Sequence, residues 1–218
     1  MVRKILLFFW VCIFCIQVYS GESFRVFLEE HKGMVKYIES LQAEFIQTET
    51  LGDAGMQREK KGRLWARADG CFRVEYSLPE SILMIFDLNY FIQHFVADDD
   101  LQVISAEEMD KKTNPFYLWF NIDTLEEYYT VSDVADKDGC TIVSISDSSN
   151  NSLIKSIDLY ISKSSGLLLK IDSLGQDSGT RTVLEFTDYK INTSSEDLFI
   201  IPAELLDKKP SSPSAFYE

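Results

Sequence analysis

Residues 63–77 read RLWARADGCFRVEYS, two alternating runs on either side of an Asp-Gly pair, and this stretch decides the fold. Asp-Gly between two runs of period two is a strong signal for a β-hairpin with a tight turn. The charges at Arg63, Arg67 and Arg73 mark the side of each strand that points to water. The other side is the predicted inner face, formed by Leu64, Ala66, Phe72, Val74 and Tyr76.

Runs of the same kind continue on both sides of this hairpin. Further strands are expected at 44–50, 82–86, 90–95, 101–104, 127–131, 141–145, 153–161, 167–171 and 182–189. Turn-rich separators such as 136–139 and 163–166 stand between them. About eleven short strands at this spacing predict a mainly β fold with some helix, in which one antiparallel sheet curls as a barrel or half-barrel.

An amphipathic helix is expected ahead of the sheet. Apolar residues recur mostly at spacings of three, four and seven from Phe24 to Phe45, with charged residues between them. Gly33 lies inside this pattern, where it costs about 1 kcal/mol relative to Ala, so a bend or break is expected there. A second helical segment is expected after Ser105, because Glu108 completes a capping box and an apolar patch follows at 116–120.

Residues 1–20 have the pattern of a secretory signal peptide. Arg3 and Lys4 form a basic start, residues 5–18 are almost wholly apolar, and Ser20 is a small residue at the expected cut. The apolar run of about 14 residues is short for a membrane span. The expected organisation is a signal peptide at 1–20, one domain at 21–207 and a disordered Pro/Ser-rich tail at 208–218.

Acidic residues outnumber basic ones, and this imbalance limits the possible partners. Asp and Glu total 35 against 21 Lys and Arg, a net charge of −14. Such a charge argues against nucleic acid or an anionic membrane surface as partner. After cleavage only Cys71 and Cys140 remain. An oxidising compartment permits a disulfide between them, and the sequence leaves the bridged and free states open.

The residues form no recognisable catalytic or metal site. His31 and His94 lack Cys, His or acidic neighbours in a metal-binding pattern, and there is no phosphate loop or nucleophile elbow. We therefore expect no enzyme activity and no metal or cofactor. What stands out is apolar bulk, since the inner face of a curled sheet must be filled by side chains or by a ligand. Composition alone favours a packed core over a ligand cavity.

A series of short motifs runs through the chain in a fixed order. They are SLQAEFIQ at 40–47, GRLW at 62–65, FRVEY at 72–76, PESIL at 79–83, NPF at 114–116 and FIIP at 199–202. In this order and spacing the chain resembles the LolA family of outer-membrane lipoprotein carriers. The resemblance implies an unclosed antiparallel β half-barrel of eleven strands, with helices as a lid over an apolar cavity.

The resemblance also implies a function. Carriers of this kind take lipid-modified proteins from an inner-membrane ABC transporter of the Lol type and pass them to an outer-membrane acceptor. The chain is then expected to be a periplasmic monomer that binds acyl chains. The expected contacts to those chains are Phe45, Leu64, Phe72, Val74, Leu83, Phe116, Leu118 and Trp119. The alternative is a periplasmic sensor or regulator that detects lipids or lipoproteins with the same half-barrel.

The chain departs from the family pattern shortly after Trp65. Family members typically carry Lys-Arg-Pro there, whereas this chain has Arg67, Ala68 and Asp69. The Arg that usually ties the sheet to the lid is therefore replaced by Ala68, or has moved to Arg67 and so to the outer face. We expect closure of the lid to use another contact.

Overall fold

The computed structural model describes residues 22–52, 55–108, 122, 125–146, 154–176 and 179–206, and these contain an eleven-stranded sheet. The strands are β1 (Ser40–Leu51), β2 (Met56–Arg67), β3 (Phe72–Leu78), β4 (Ile82–Phe86), β5 (Tyr90–Phe95), β6 (Asp100–Ser105), β7 (Thr130–Lys137), β8 (Cys140–Ser146), β9 (Ile154–Ser162), β10 (Leu168–Gly175) and β11 (Arg181–Ile191). The helices are α1 (22–35), α2 (Leu125–Tyr128), a 3₁₀ helix (Glu196–Phe199) and α3 (Ala203–Leu206).

The sheet is antiparallel throughout and consists of two halves. Its strand order is β6-β5-β4-β3-β2-β1-β11-β10-β9-β8-β7. Within each half every strand pairs with its neighbour in the chain, while the first and last strands meet in the middle, where Leu41 pairs with Ile191. β6 and β7 remain the two edges in the described part of the chain, so the sheet does not close into a barrel. The prediction of an unclosed antiparallel sheet is confirmed.

The hairpin that decides the fold is present with the predicted faces. Leu64 pairs with Val74 and Ala66 pairs with Phe72, and all four side chains are buried. Gly70 has a φ of +98°, which glycine adopts without strain, and it closes the turn between β2 and β3. Along every strand the residues of this inner face join one large apolar cluster, which also contains the buried side of α1.

The first helix is shorter than the sequence pattern predicts. α1 ends at residue 35, two residues after Gly33, and β1 begins at Ser40. Leu41 and Phe45 therefore belong to a strand, and the prediction of one helical stripe through Phe45 is wrong. The reason is that Leu41, Ala43 and Phe45 also alternate with period two, and their burial pattern is that of one face of a strand.

The segment after β11 covers the outer face of the first half of the sheet. Phe199 packs against Trp65 and Cys71, while the Arg67 guanidinium lies 5.4 Å from the centre of the Phe199 ring. A second outer cluster, between α3 and strands β4–β6, contains Ile85, Ile92, Leu101, Ile201 and Leu205. The chain thus covers both faces of the sheet, with α1 inside and residues 196–206 outside.

Two further expectations concern the connection between the halves. A strand was expected at 127–131, but Leu125–Tyr128 is helical and β7 begins at Thr130. The buried pair Leu125 and Tyr129, four residues apart and joined by a 2.8 Å backbone hydrogen bond, explains the helical turn. The Glu108 carboxylate accepts from the Ser105 backbone nitrogen at 3.3 Å, one bond of the expected capping box. The apolar patch at 116–120 lies outside the described residues.

The two cysteines among the described residues do not form the bridge that the sequence left open. Cys71 and Cys140 are free thiols. Cys71 lies beside Trp65 at the turn between β2 and β3, whereas Cys140 begins β8, which is six positions away from β3 in the sheet. Each position is about 4.8 Å wide, and bridged cysteines need Cα atoms within roughly 7 Å, so the sheet keeps the thiols apart.

Candidate functional site

The centre of the inner face is a group of packed aromatic rings. Phe72 lies 5.5 Å from Phe86 and 6.1 Å from Phe91, measured between ring centres. Phe45 lies 5.1 Å from Tyr76 in an edge-to-face arrangement. Because β-strand side chains alternate between faces, these rings from neighbouring strands share one apolar surface. Such a surface can bind hydrocarbon, but it offers no group for acid–base or nucleophilic chemistry.

The Phe45 ring approaches the backbone of β2 closely at Gly62. A Cβ atom at Gly62 would stand 2.5 Å from Phe45 Cζ and 2.5 Å from the Glu75 carbonyl oxygen. Any side chain at this position would collide with both. The sheet has a register irregularity between Lys61 and Gly62 at the same place. Gly62 is therefore the residue that makes room for the aromatic group.

Two tyrosine hydroxyl groups in or beside this apolar cluster form hydrogen bonds. Tyr76 donates to the Gln47 side-chain oxygen at 2.7 Å, and Tyr189 donates to the Leu168 carbonyl oxygen. Burial raises the pKa of both hydroxyls far above the ordinary value, so they stay protonated at any physiological pH. The inner face is therefore uncharged at these positions.

Helix α1 covers this surface with one apolar side. Phe24 and Phe27 are buried and stack with ring centres 6.0 Å apart, and His31 follows one turn later. Glu29, Glu30 and other charged residues point away from the sheet, as expected for an amphipathic helix. Phe24 and Phe27 thus join the apolar cluster that the inner face of the sheet forms.

The last turn of α1 rests on the turn between β9 and β10. His31 Nε2 donates to the Gly166 carbonyl oxygen at 3.0 Å in a buried position. A Cβ atom at Gly166 would stand only 2.9 Å from Val35 Cγ1 and 3.1 Å from Met34 Cβ. A cavity of about 40 Å³ lies beside this contact, lined by His31, Val35, Ile38, Leu41, Ile122, Gly166, Leu167 and Leu168.

The link between α1 and β1 is held in place by Asn192, at the end of β11. Its side-chain oxygen accepts from the backbone nitrogens of Glu39 and Ser40 at 2.8 and 3.2 Å. Its side-chain nitrogen donates to the Tyr37 carbonyl oxygen at 2.8 Å. These three bonds fix residues 37–40 to the sheet, so a movement of α1 would pivot about this link.

The described residues contain no metal centre. No group of three or more His, Cys, Asp or Glu side chains in the described ranges could hold an ion. His94 instead forms a hydrogen bond with the Asp99 carboxylate at 3.0 Å, at the turn between β5 and β6. Of the helices in the described ranges, none is both long enough and apolar enough to cross a bilayer.

Comparison with known proteins gives the family. The sequence profile described as "Outer membrane lipoprotein carrier protein LolA" matches residues 36–202. The match covers most of the chain, from the link before β1 to the segment after β11. This chain belongs to the LolA family. The description of this family names a carrier of outer-membrane lipoproteins.

Several solved structures are similar to this chain at low sequence identity. An uncharacterized conserved protein from Thermus thermophilus is 15% identical with a TM-score of 0.52, over 83% of this chain and 95% of that one. A DUF1329 family protein from Desulfovibrio piger is 12% identical with a TM-score of 0.50, over 85% and 98%. A LolA superfamily protein from Nitrosomonas europaea is 9% identical with a TM-score of 0.47, over 81% and 97%. None of the curated proteins compared with the chain matches it.

The structure brings together four of the residues expected from the LolA resemblance. Phe45, Leu64, Phe72 and Val74 all lie buried on the inner face, in one cluster. Leu83 does not join them. It pairs with Glu75 on the outer face and packs beside Ile85 in the cluster under α3, because strand alternation turns it away from Ile82 and Met84. Phe116, Leu118 and Trp119 lie outside the described residues.

Sequence reasoning missed other members of the LolA-like inner face. Phe86 and Phe186 belong to it, and Phe24 and Phe27 cover it from α1. The alternation of Phe86 with Met84 and Ile82 along β4 was the signal that could have found the first. The two helical phenylalanines were recognised as an apolar stripe, but nothing in their spacing shows which part of the sheet they meet.

The departure from the LolA family pattern after Trp65 has a structural outcome. Arg67 points to the outer face, where it pairs with Asp69 and lies over Phe199. It is therefore on the side of the sheet away from α1, as the sequence suggested for an Arg that has moved by one position. On the opposite side, α1 forms a hydrogen bond from His31 to Gly166 in the turn between β9 and β10.

Proposed function

We propose that this protein is a periplasmic carrier that binds the acyl chains of lipoproteins and delivers them to an outer-membrane acceptor. It would receive its cargo from an inner-membrane ABC transporter of the Lol type. The observation that carries the proposal is the continuous apolar inner face of the open sheet, against which the apolar side of helix α1 packs. Membership of the LolA family supports it. Residues 1–20 would be the export signal.

Acyl chains can replace the contacts of α1 energetically. Burying Phe24 and Phe27 contributes about 2–3 kcal/mol for each ring. One 16-carbon chain contributes roughly 12 kcal/mol on leaving water, at about 0.8 kcal/mol per CH₂. Hydrocarbon that reaches the inner face would therefore displace the helix. No covalent step is needed, which agrees with the expectation of a carrier without enzyme activity or cofactor.

The same numbers explain why partners are needed. A chain that starts in a bilayer is already out of water, so transfer to the protein gains little. Loading from a membrane then requires energy from a transporter. Delivery requires an acceptor that binds the cargo better. A net charge of −14 disfavours direct adsorption of the carrier to anionic lipid.

The proposal can be tested by titrating the purified protein with a synthetic triacylated lipopeptide. Phe72→Ala should weaken binding at least tenfold, because Phe72 lies at the centre of the aromatic group. Trp65→Ala is the matched control, since Trp65 is a similarly buried aromatic residue of the neighbouring strand on the outer face. Circular dichroism checks that both variants are folded.

Three results bear on the outcome. Retention of lipopeptide by the wild type and by Trp65→Ala, but not by Phe72→Ala, supports an acyl-binding inner face. Equal loss in both folded variants argues against that assignment. A wild-type protein that binds neither lipopeptide nor co-purified acylated species, examined by mass spectrometry, excludes the carrier function altogether.

A further inference from the structure

We propose that a row of polar side chains at one end of the inner face binds the carbonyl groups at the head of an acyl ligand. This polar row consists of Gln47 and Glu49 on β1 with Arg58 and Lys60 on β2. The site deepens the proposed carrier function, on which it rests, by naming the part of the ligand that this end of the sheet holds.

The inner face changes from apolar to polar between Phe45 and Gln47. Phe45 is buried on this face of β1, and Gln47 and Glu49 continue the same side toward the end of the strand. On β2, Lys60 lies directly opposite Gln47 and Arg58 lies opposite Glu49, so both cations share that side. A ligand with hydrocarbon chains and a polar head matches this order, because its chains would meet Phe45 and its head would meet the polar row.

A chain of hydrogen bonds joins the polar row to the aromatic group. Tyr76 donates to the Gln47 side-chain oxygen at 2.7 Å, and the Gln47 side-chain nitrogen donates to Glu49 Oε1 at 2.7 Å. Lys60 Nζ donates to the same Glu49 oxygen at 2.7 Å. The Tyr76 ring in turn packs edge to face against Phe45. A polar head would therefore meet a preorganised group directly beside the apolar surface.

The polar row offers a ligand hydrogen-bond donors. Its two cations face one carboxylate, which leaves a positive charge at this place in a chain whose net charge is −14. The Lys60 ammonium carries three N–H donors, and the bond to Glu49 uses one of them. The Lys60 and Glu49 side chains are only 24% and 18% exposed, so water competes less for them than for a fully exposed ion pair. Carbonyl oxygens, which only accept, are the matching ligand groups.

The Glu49 carboxylate favours a neutral head over an anionic one. It lies 2.7 Å from Lys60 Nζ, so it would stand beside any head that Lys60 binds and would repel a phosphate or a carboxylate there. A neutral carbonyl group accepts from Lys60 without this repulsion. The ester carbonyls of an acylated lipopeptide are neutral acceptors of this kind. The polar row would thus distinguish a lipoprotein from a fatty acid or a phospholipid.

The first test removes the donor and keeps the length of the side chain. Lys60→Met should weaken binding of a synthetic triacylated lipopeptide roughly tenfold, the loss expected for one hydrogen bond from a charged group. Lys61→Met is the matched control, because Lys61 is also paired with a glutamate but lies on the outer face. In Lys60→Met/Glu49→Gln the remaining partner is neutral as well. The same loss in this double variant supports the missing donor as the cause, whereas recovered affinity overturns it. Circular dichroism checks that all variants are folded.

The second test changes the ligand instead of the protein. A lipopeptide whose ester links are replaced by ether links has the same chains but lacks the ester carbonyl groups. The wild type should bind it roughly tenfold less tightly than the ester form, and Lys60→Met should bind both forms equally. Dioctanoylglycerol and dioctanoyl phosphatidylglycerol carry the same chains on a neutral and an anionic head. We expect the neutral lipid to compete better for the wild type.

The outcomes separate the head site from the carrier function. Equal affinity of Lys60→Met and Lys61→Met, or equal affinity of the wild type for the ester and ether forms, overturns the head site and leaves the carrier function standing. Better competition by dioctanoyl phosphatidylglycerol that depends on Lys60 shows an anionic head and overturns the assignment of a neutral carbonyl. If the wild type binds no lipopeptide of either form, both proposals fail.

Discussion

Substituting Gly62 by Ala tests the packing of the aromatic group most directly. The new Cβ would stand 2.5 Å from both Phe45 Cζ and the Glu75 carbonyl oxygen, far inside van der Waals contact. The ring cannot swing away freely, because Tyr76 and Phe186 lie 5.1 and 6.3 Å from it, and the carbonyl belongs to the backbone of β3. Strand β2 must therefore separate from β3.

The expected cost follows from two opposing effects. Overpacking of a closed core costs about 1–3 kcal/mol. Replacing glycine by alanine offsets about 0.5–1 kcal/mol of this cost, because the unfolded chain has less conformational entropy to lose. The free energy of unfolding should thus fall by about 1–2 kcal/mol, and the melting temperature by about 2–8 °C for a chain of this size. Urea denaturation followed by tryptophan fluorescence measures the first, and calorimetry the second.

A double-mutant cycle identifies the atoms responsible. In a Phe45→Leu background the ring atoms are gone and only the collision with the Glu75 carbonyl remains. Gly62→Ala should then cost about 0.5–1 kcal/mol less than in the wild type. Gly33→Ala, with no atom within 4 Å of its new methyl group, should not destabilise the protein. The reasoning is refuted if Gly62→Ala is as stable as the wild type, or if its cost is the same with and without the Phe45 ring.

Two further predictions concern groups away from the inner face. Burial raises the pKa of the Cys71 thiol to about 11, so iodoacetamide at pH 8 should alkylate Cys140 long before Cys71. Peptide mass spectrometry measures the two alkylation rates, and comparable rates would contradict the burial of Cys71. Hydrogen bonds from Arg181 and Lys170 outweigh burial and lower the pKa of the Asp172 carboxyl. The ionised Asp172 therefore stabilises the fold above about pH 4, and this stabilisation is lost as the pH falls through the folded-state pKa. Asp172→Asn should therefore cost about 0.5–1 kcal/mol in urea titrations at pH 7, where Arg181 is partly screened by water, and nothing near pH 2; an equal cost at both would count against the ion pair.

The period-two signal predicted most of the sheet because each strand carries its own pattern. β4 and β5 begin and end where the alternating runs predict, and the Asp-Gly turn fixed the register of β2 against β3. The pattern failed where one spacing fits two structures. Leu41 and Phe45 are four residues apart and also alternate, so they satisfy a helix and a strand alike, and only pairing with β11 decides between them.

The site was harder to predict than the strands, because it depends on which faces meet. Leu83 has the same apolar character as Ile82, and nothing local shows that α3 covers its side of the sheet. The seat of α1 on Gly166 joins residues 135 positions apart in the chain through one hydrogen bond. The sequence pattern does not indicate such a contact. A histidine on the apolar side of a helix and a glycine in a turn each fit their own element, whether or not the two residues touch.

The crossing of the two chain ends has a consequence for how the protein folds. Helix α1 precedes strands β1–β6 in the chain, yet it contacts the turn between β9 and β10 in the other half of the sheet. The segment after β11 likewise covers strands β2–β6, in the half that comes first in the chain. Each half of the sheet can form early, because its strands pair with their neighbours in sequence. Strands β1 and β11 pair only across a loop of about 150 residues, which is slow to close. Neither half is therefore fully shielded until the other is present. We expect the two halves to unfold in a single cooperative transition. Removal of α1 should expose apolar surface in the second half of the sheet, and removal of the segment after β11 should expose it in the first half.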